Sequence, residues 1–204
     1  MNDLQDNKMI ELKNLSKRYG NTLAVNNLNL SVSKGEIYGF IGPNGAGKTT
    51  TIRIMGGVLA PTEGMVVIDG INMADDPESV KRRIGFIPDR PFIYEKLTGM
   101  EFMRFSADLY GVDERVFSEN AQALLKKFAI LNWADELIES YSHGMKQRLI
   151  ISSALLHDPT VIIVDEPMVG LDPAAIRMVK NMFRDLAKMG MTIFMSTHTL
   201  TVAE

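Results

Sequence analysis

Residues 42–49 form a glycine-rich stretch that ends in lysine and threonine, Gly-Pro-Asn-Gly-Ala-Gly-Lys-Thr. Glycines leave the backbone N–H groups open to phosphate oxygens, and a helix that begins beside them adds the positive end of its dipole. The spacing fulfils the phosphate-loop pattern, so Lys48 is predicted to reach the β- and γ-phosphates of a nucleotide and the Thr49 hydroxyl to coordinate Mg²⁺. The predicted nucleotide-binding residues of this stretch are Gly42, Pro43, Asn44, Gly45, Ala46, Gly47, Lys48, Thr49 and Thr50.

Two adjacent carboxylates, Asp165 and Glu166, directly follow the apolar run at residues 161–164. Carboxylates at the end of a buried strand cost free energy unless a cation or a reaction uses them. We predict that Asp165 holds Mg²⁺, directly or through water, and that Glu166 polarises the attacking water as a general base. The alternatives are a purely structural glycine turn at residues 42–49 and an ordinary loop start after residue 164. Both fit poorly when the two motifs occur in one chain.

The segments that must position these motifs begin with strand patterns. Residues 9–32 show short alternating apolar runs with turns at 19–21 and 33–35, which predict antiparallel strands. Nearly continuous apolar runs at 37–41 and 161–164 predict parallel strands that are buried on both faces. The first of these runs leads into the glycine-rich stretch, and the second leads into the two carboxylates.

Helix patterns alternate with these strands. A helix is predicted from about Gly47, and another from Asp172, its N-cap, to Gly190, which ends it. A last strand is predicted at residues 191–196. The alternation predicts an α/β fold with a mainly parallel sheet, whose ligand binds at the carboxyl ends of the strands.

The part of the chain from about residue 90 to 158 has a helical pattern and is predicted to be a helical insertion. Thr98 and Glu101, three residues apart, make a capping box. Phe102, Phe105 and Leu109 follow at helical spacing. We therefore expect helices here rather than strands of the parallel sheet.

The composition excludes several classes of function. The 204 residues carry a formal net charge of -3, which argues against a protein whose main affinity is for the nucleic-acid backbone. The chain has no cysteine, so it has no disulfide framework and no thiolate metal site. It has neither a basic and apolar leader nor an apolar run long enough to cross a bilayer. Any membrane role is therefore expected to go through a partner.

A further motif selects one family among the phosphate-loop proteins. Residues 141–148, Tyr-Ser-His-Gly-Met-Lys-Gln-Arg, resemble the signature sequence of the ATP-binding cassette (ABC) family, which opens a helix shortly before the Walker B strand. Residues 165–167 resemble the end of that strand, residues 170–173 the D-loop, and residues 196–198 the switch-histidine segment. Tyr19 lies where the family stacks an aromatic ring on adenine. The resemblance covers essentially the whole chain.

The resemblance implies a fold and a site for each of these residues. The fold would be an α/β P-loop NTPase (RecA-like), with a parallel-sheet core, an N-terminal antiparallel β subdomain and a helical insertion subdomain. His198 would contact the γ-phosphate from its own chain, whereas Ser142 and Gly144 would contact the γ-phosphate of a nucleotide held by a partner domain. The alternatives from the residues alone are a strand aromatic for Tyr19, a helix cap for Ser142 and a satisfied histidine for His198.

The chain departs from the family pattern at two places. Asp89 lies where the family usually has a glutamine that touches Mg²⁺ or the attacking water, and its carboxylate is predicted to act in catalysis at the magnesium shell. His143 and Met145 replace glycine and glutamine in the signature. Both departures resemble cassettes that serve ABC-2 type exporters, in which the ATPase and the membrane protein are separate chains.

We therefore expect one ABC ATP-binding domain over residues 1–204, short at its C-terminus, with a nucleotide-binding core at 1–88 and 159–204 and a helical signature subdomain at 89–158. Its expected function is that of an ATP- and Mg²⁺-dependent motor, which dimerises on ATP and drives a separate transmembrane permease. The expected direction of transport is export. Its expected place is cytoplasmic, peripheral on the cytoplasmic face of the membrane through that partner. The alternatives are a soluble ABC-type ATPase that acts on nucleic acid or ribosomes, and a nucleotide-binding regulator that barely hydrolyses ATP.

The phosphate-loop assignment yields a first prediction. Lys48→Ala is expected to lower the rate of ATP hydrolysis about a hundredfold or more, because a positive charge on the β- and γ-phosphates is lost in the transition state. Steady-state hydrolysis at saturating ATP measures the effect, and Lys81→Ala, on a predicted solvated helix face, is the control. Near-normal turnover of Lys48→Ala would contradict the assignment.

Overall fold

The computed structural model describes residues 7–168 and 171–198. Within these residues the strands are β1 (Lys8–Tyr19), β2 (Thr22–Ser33), β3 (Ile37–Ile41), β4 (Glu63–Ile68), β5 (Ile71–Asn72), β6 (Ile84–Ile87), β7 (Val161–Asp165) and β8 (Thr192–Thr197). The helices are α1 (Lys48–Met55), α2 (Pro77–Arg82), α3 (Gly99–Tyr110), α4 (Glu114–Lys127), α5 (His143–Ala154) and α6 (Pro173–Lys188). The described residues form two compact units, one of residues 7–89, 160–168 and 177–198 and the other of 90–159 and 171–176.

The first unit contains two four-stranded sheets. One has the strand order β2-β1-β4-β5 and is antiparallel, as predicted for residues 9–32. The other has the order β3-β8-β7-β6 and is parallel throughout. Together with the helical second unit, this arrangement is the fold class that the resemblance implied.

Helix α1 is held by a core that reaches both sheets. Ile52 and Met55 of α1 are fully buried and belong to one apolar cluster with Ile10 of the antiparallel sheet and with Ile163 and Phe194 of the parallel sheet. Burial of each such side chain stabilises the fold by about 1.5–3 kcal/mol. The helix that follows the glycine-rich stretch therefore has a fixed position.

The parallel register brings several loops to one edge of the sheet. Ile41 at the end of β3 pairs with Thr197 at the end of β8, and Asp165 at the end of β7 pairs with Ser196. β6 lies on the other side of β7, and its last pair is Ile87 with the residue before Asp165. The segments that leave these four strands thus start from the same edge, where the fold class places its ligand.

Strand β3 corrects one prediction from the sequence. The apolar run at 37–41 predicted a strand buried on both faces, as β7 is, but Ile37 and Ile41 are 38% and 42% exposed. Within the described residues β3 pairs only with β8 and so forms an edge of the sheet. The run is apolar because its middle packs inward, where the ring of Tyr38 stacks on that of Phe194 at 5.4 Å between centroids.

The second unit contains α3, α4 and α5, as the helical pattern predicted. The capping box is present: the Thr98 hydroxyl accepts from the Glu101 N–H, and the Glu101 carboxylate accepts from the Thr98 N–H. Leu109 is an exception to the predicted apolar stripe, since it is 70% exposed. Arg148 of α5 donates to the carbonyl of Phe128 at 3.0 Å, just after α4, and so joins these two helices.

Gly47 closes the phosphate loop and is the N-cap of α1. Its φ is 83°, in the left-handed region that side chains disfavour, and a Cβ here would lie 2.3 Å from the carbonyl oxygen of Ala24 in β2. Gly45 has a similar φ of 81°, but a Cβ there would meet no atom within 4 Å. Of these two glycines, Gly47 is thus required on two grounds, backbone conformation and space, and Gly45 on the first alone.

These two glycines make a matched pair for a stability test. Gly45→Ala is expected to lower the free energy of unfolding by about 1 kcal/mol from backbone strain alone. Gly47→Ala is expected to lower it by about 2–4 kcal/mol, because the clash with β2 adds to the same strain. Urea denaturation of both variants measures the difference. Equal losses would show that the close approach of β2 to the loop does not constrain it.

Candidate nucleotide-binding site

A cavity of about 370 Å³ opens at the carboxyl edge of the parallel sheet, within the first unit. Its lining residues are Ala24, Asn44, Gly45, Gly47, Lys48, Thr49, Thr50, Asp89, Glu166 and His198. All of these except Ala24 were predicted as site residues. Loops far apart in the sequence therefore meet around one cavity.

Lys48 carries the positive charge of this cavity. Its side chain is largely buried, with the residue 7% exposed, and its ammonium donates to the carbonyl oxygens of Gly42 and Pro43 at 2.6 and 3.0 Å. A buried cation is costly unless polar groups replace its hydration. The two carbonyls supply that replacement and hold the charge at the loop, while the remaining donor capacity of the ammonium suits a phosphate oxygen.

The start of α1 offers backbone donors to an anion. No side chain caps the helix at Gly47, and no acidic residue lies in its first turn. Unpaired N–H groups of a first turn, together with the helix dipole, attract phosphate. Thr49 and Thr50, in that turn, line the cavity. Ala46 helps to shape the loop, because its N–H donates to the Pro43 carbonyl at 3.2 Å.

The end of β7 presents the two carboxylates in different environments. Asp165 is 3% exposed, and its Oδ1 accepts a short hydrogen bond from the hydroxyl of Ser196. Glu166 lies one residue further, with a φ of 51°, and its N–H donates to the same hydroxyl at 3.1 Å. The strained backbone conformation at Glu166 therefore has a fixed partner on β8, and its side chain lines the cavity.

Glu166 and His198 are in direct contact. Oε2 of Glu166 lies 2.9 Å from Nδ1 of His198, which directly follows β8. The Glu166 side chain is 15% exposed and that of His198 50% exposed, so the pair borders both protein and solvent. The contact restrains both groups at the cavity wall, where a carboxylate can accept a proton from an attacking water.

The donor set fits a magnesium ion bound mainly through phosphate. Among residues 7–168 and 171–198, no group of three or more His, Cys, Asp or Glu side chains could hold a metal by itself. Mg²⁺ typically takes one or two protein oxygens and completes its shell with water and substrate phosphates. Thr49 and Asp89 supply such oxygens at the cavity, and Asp165 supplies a third at the end of β7.

The predicted adenine-binding residue is not among the side chains that line the cavity. Tyr19 ends β1 and is 48% exposed, and the ammonium of Lys17 lies 5.4 Å from the centroid of its ring. Its role in stacking on adenine stays a prediction.

The predicted signature residues lie in the second unit, at the start of α5. Ser142 is the N-cap, and its hydroxyl accepts from the Met145 N–H at 3.3 Å. A Cβ at Gly144 would meet no atom within 4 Å, so the packing of this chain does not require glycine there. Lys146 pairs with Glu95, and this hydrogen bond lowers the pKa of the Glu95 carboxyl, which ties the start of α5 to the segment before α3.

The predicted D-loop is described only in part. Gly170 lies outside the described residues. Asp172 is the N-cap of α6 as predicted, because its Oδ1 accepts from the N–H groups of Ala174 and Ala175 at 2.8 and 2.9 Å.

Two residues that shape the site were not predicted from the sequence. Ala24 has no chemistry of its own, and only the packing of β2 against the phosphate loop brings its carbonyl close to Gly47. Ser196 was noted only as part of the switch-histidine segment, because nothing in the local sequence shows that its hydroxyl lies beside Asp165. The parallel register of β7 and β8 makes it the neighbour of Asp165.

The relatives found by comparison with known proteins include ATP-binding proteins of transport systems. The bacitracin transport ATP-binding protein BcrA of Bacillus licheniformis is 40% identical over 198 residues, which are 96% of this chain and 63% of BcrA. The SkfA peptide export ATP-binding protein SkfE of Bacillus subtilis is 36% identical over 193 residues, which are 95% of this chain and 80% of SkfE. The chain thus spans less than two thirds of the length of BcrA.

Solved structures agree with the fold. An ATP-binding subunit of an ABC transporter superposes with a TM-score of 0.86 at 36% identity, over 96% of this chain and 81% of that one. A cassette in a dimeric post-hydrolysis state, bound to ADP and Pi, gives a TM-score of 0.84 at 29% identity, over 96% of this chain and 90% of that one. The predicted fold class is therefore confirmed.

The family assignment rests on a continuous match. Residues 25–169 match the family model described as ABC transporter. This span is more than half of the chain and includes the phosphate loop, the start of α5 and the two carboxylates after β7. The prediction from residues 141–148 is confirmed, and the chain belongs to the ABC transporter family as an ATP-binding cassette.

Proposed function

We propose that this protein is the ATP-hydrolysing subunit of an ABC exporter. It binds ATP with Mg²⁺, pairs with a second cassette, and drives a transmembrane permease that is a separate chain. The observation that carries the proposal is the convergence of Lys48, Thr49, Glu166 and His198 on one cavity in a chain of this family. The names of BcrA and SkfE, a transport and an export ATP-binding protein, support the transport role.

The side chains divide the work by charge. Lys48 and the first turn of α1 bind the phosphates, and Thr49, Asp165 and Asp89 would hold the magnesium ion. Bound magnesium would neutralise charge that develops on the phosphate oxygens. Glu166 orients and polarises the attacking water as general base, and His198 restrains Glu166 and contacts the γ-phosphate.

The signature residues complete the site of a second cassette. Ser142 is exposed at the start of α5, and Gly144 offers open space above its backbone, so another molecule can approach closely there. Neither residue is among those that line the cavity of this chain. A cassette of the same fold has been solved as a dimer with ADP and Pi, which supports pairing through nucleotide.

The membrane role depends on the permease. In the part of the chain that the structure describes, no helix has both the length and the apolar character of a membrane span. We therefore propose that the protein works at the cytoplasmic face of the membrane as a peripheral subunit held by its partner. The alternative, an ABC-type ATPase that acts on nucleic acid or ribosomes, is not favoured, because the relatives are transport proteins and the net charge is -3.

Asp89 tests the division between binding and chemistry. Asp89→Ala is expected to lower kcat about tenfold or more while the affinity for ATP changes less than about threefold, because the residue acts on magnesium and water rather than on the bulk of the nucleotide. Hydrolysis kinetics and binding of a fluorescent ATP analogue measure the two effects. Asp185→Ala, on the exposed face of α6, is the control. An equal loss of binding and turnover, or no loss at all, would contradict the role.

Glu166 and Ser142 test the composite site. Glu166→Gln is expected to bind ATP, to stop hydrolysis and to accumulate as a dimer, because the γ-phosphate that joins the two cassettes is not removed. Size-exclusion chromatography with light scattering, with ATP and then with ADP, measures the mass. The wild type is expected to be mostly monomeric.

The matched variant adds Ser142→Arg to Glu166→Gln, which should block the shared interface and abolish the dimer. An ATP-dependent dimer that survives this change would exclude the action of the signature across the interface. A Glu166→Gln protein that stays monomeric at saturating ATP would contradict ATP-driven pairing of this chain by itself.

A further inference from the structure

We propose that Ser196 is a positioning residue for ATP hydrolysis: its buried hydroxyl sets the geometry of the Mg²⁺ ligand Asp165 and of the general base Glu166 together. The inference rests on the proposed function, since it assigns a role to a residue that supports the same site. Ser196 itself touches neither the cavity nor the reacting atoms; it acts through its two neighbours.

The hydroxyl of Ser196 is fully buried and makes two hydrogen bonds. It donates to Oδ1 of Asp165 and accepts from the N–H of Glu166 at 3.1 Å. Because a hydroxyl has one donor, its proton is committed to the carboxylate, and one of its two lone pairs accepts from the amide. One side chain therefore fixes both the carboxylate of one residue and the backbone of the next.

Each of these bonds has a consequence for the chemistry. The bond to Oδ1 sets the rotation of the Asp165 carboxylate. That rotation determines the direction in which Oδ2 can bind a metal ion. The bond from Glu166 N–H holds a peptide whose next residue has a φ of 51°, where the regular ladder of β7 has ended. Without this acceptor, a strained turn would lose the contact that orients it.

The hydroxyl also links the two catalytic side chains through their strands. Ser196 and Asp165 are register partners in the parallel pair of β7 and β8, and His198 follows Ser196 by two residues. The ends of the two strands are therefore joined twice, by the Ser196 hydroxyl and by the Glu166–His198 contact at 2.9 Å. A shift of either strand end would change the distance between base and imidazole.

Thr192 provides a matched comparison on the same strand. It is fully buried at the amino end of β8, and its hydroxyl accepts from the Gly35 N–H at 2.9 Å and donates to the Ser33 carbonyl at 3.4 Å. Thr192 thus resembles Ser196 in burial, strand and bonding pattern. It differs in lying at the opposite end of the strand from the cavity.

The test compares Ser196→Ala with Thr192→Val, each of which removes one such hydroxyl. Ser196→Ala is expected to lower kcat about 10- to 100-fold, with KM for ATP within about threefold of the wild type. The Mg²⁺ concentration for half-maximal binding of a fluorescent ATP analogue should rise about tenfold, whereas binding in EDTA should be unchanged. Both variants should lower the urea midpoint by a similar amount, since each loses a buried hydroxyl. Thr192→Val should leave kcat and the Mg²⁺ dependence within about twofold of the wild type.

The outcomes separate this inference from the function on which it rests. If the wild type hydrolyses ATP and Ser196→Ala has the kinetics and Mg²⁺ dependence of Thr192→Val, the positioning role is overturned while the function stands. If the wild type hydrolyses no more ATP than Lys48→Ala, the proposed function fails and the inference fails with it. Should Ser196→Ala not fold, Ser196→Cys decides, because a thiol keeps the volume but is a weak donor. A loss of kcat of about fivefold or more supports the role, and wild-type kcat overturns it.

Discussion

The register of the parallel sheet is the constraint on which the site depends. Four strands run in the same direction and end together, so the segments after β3, β6, β7 and β8 start from one edge. The phosphate loop, Asp89, Glu166 and His198 each lie in a segment that follows one of these strands, and Asp165 is the last residue of β7. A slip of one residue along any strand would turn its last side chain to the opposite face of the sheet. The positions of the site residues are thus determined by the backbone pairing of the parallel strands.

Charge is arranged around this edge with little freedom. The ammonium of Lys48 is bound by two carbonyls of its own loop, and the carboxylate of Asp165 is bound by Ser196. Glu166 is held through both its backbone and its side chain. Groups that the protein orients in this way need little reorganisation during the reaction. The partner-dependent half of the proposed site, at Ser142 and Gly144, belongs to the other compact unit.

Local sequence was sufficient to predict the features that depend on a fixed spacing of a few residues. The phosphate loop, the carboxylates after residues 161–164 and the caps at Thr98 and Asp172 could be predicted, because each depends on neighbours within a few residues. The exposure of β3 could not be predicted, since an apolar run does not reveal how many strands flank it.

Pairing between distant segments was the information that local sequence did not contain. Ser196 acquires its partners through the register of β7 and β8, and Ala24 meets Gly47 only after β2 has folded against the loop. The short strand β6 and helix α2 were also missed, because each has too few residues for a clear period. The pairing of cassettes and the permease lie beyond the contacts of one chain, so they remain proposals supported by the family.

The position of β3 also affects the local stability of the strand that leads into the phosphate loop. Within the described residues, β3 has a hydrogen-bonded neighbour on one side only, and it carries the phosphate loop at its carboxyl end. An edge strand separates from a sheet by losing one ladder, so its local unfolding costs less free energy than that of β7 or β8. A ligand that binds to the phosphate loop stabilises the state in which β3 is paired in the sheet. Amide protection along β3 would therefore follow the nucleotide, while the amides of β7 and β8 would report the global stability of the sheet.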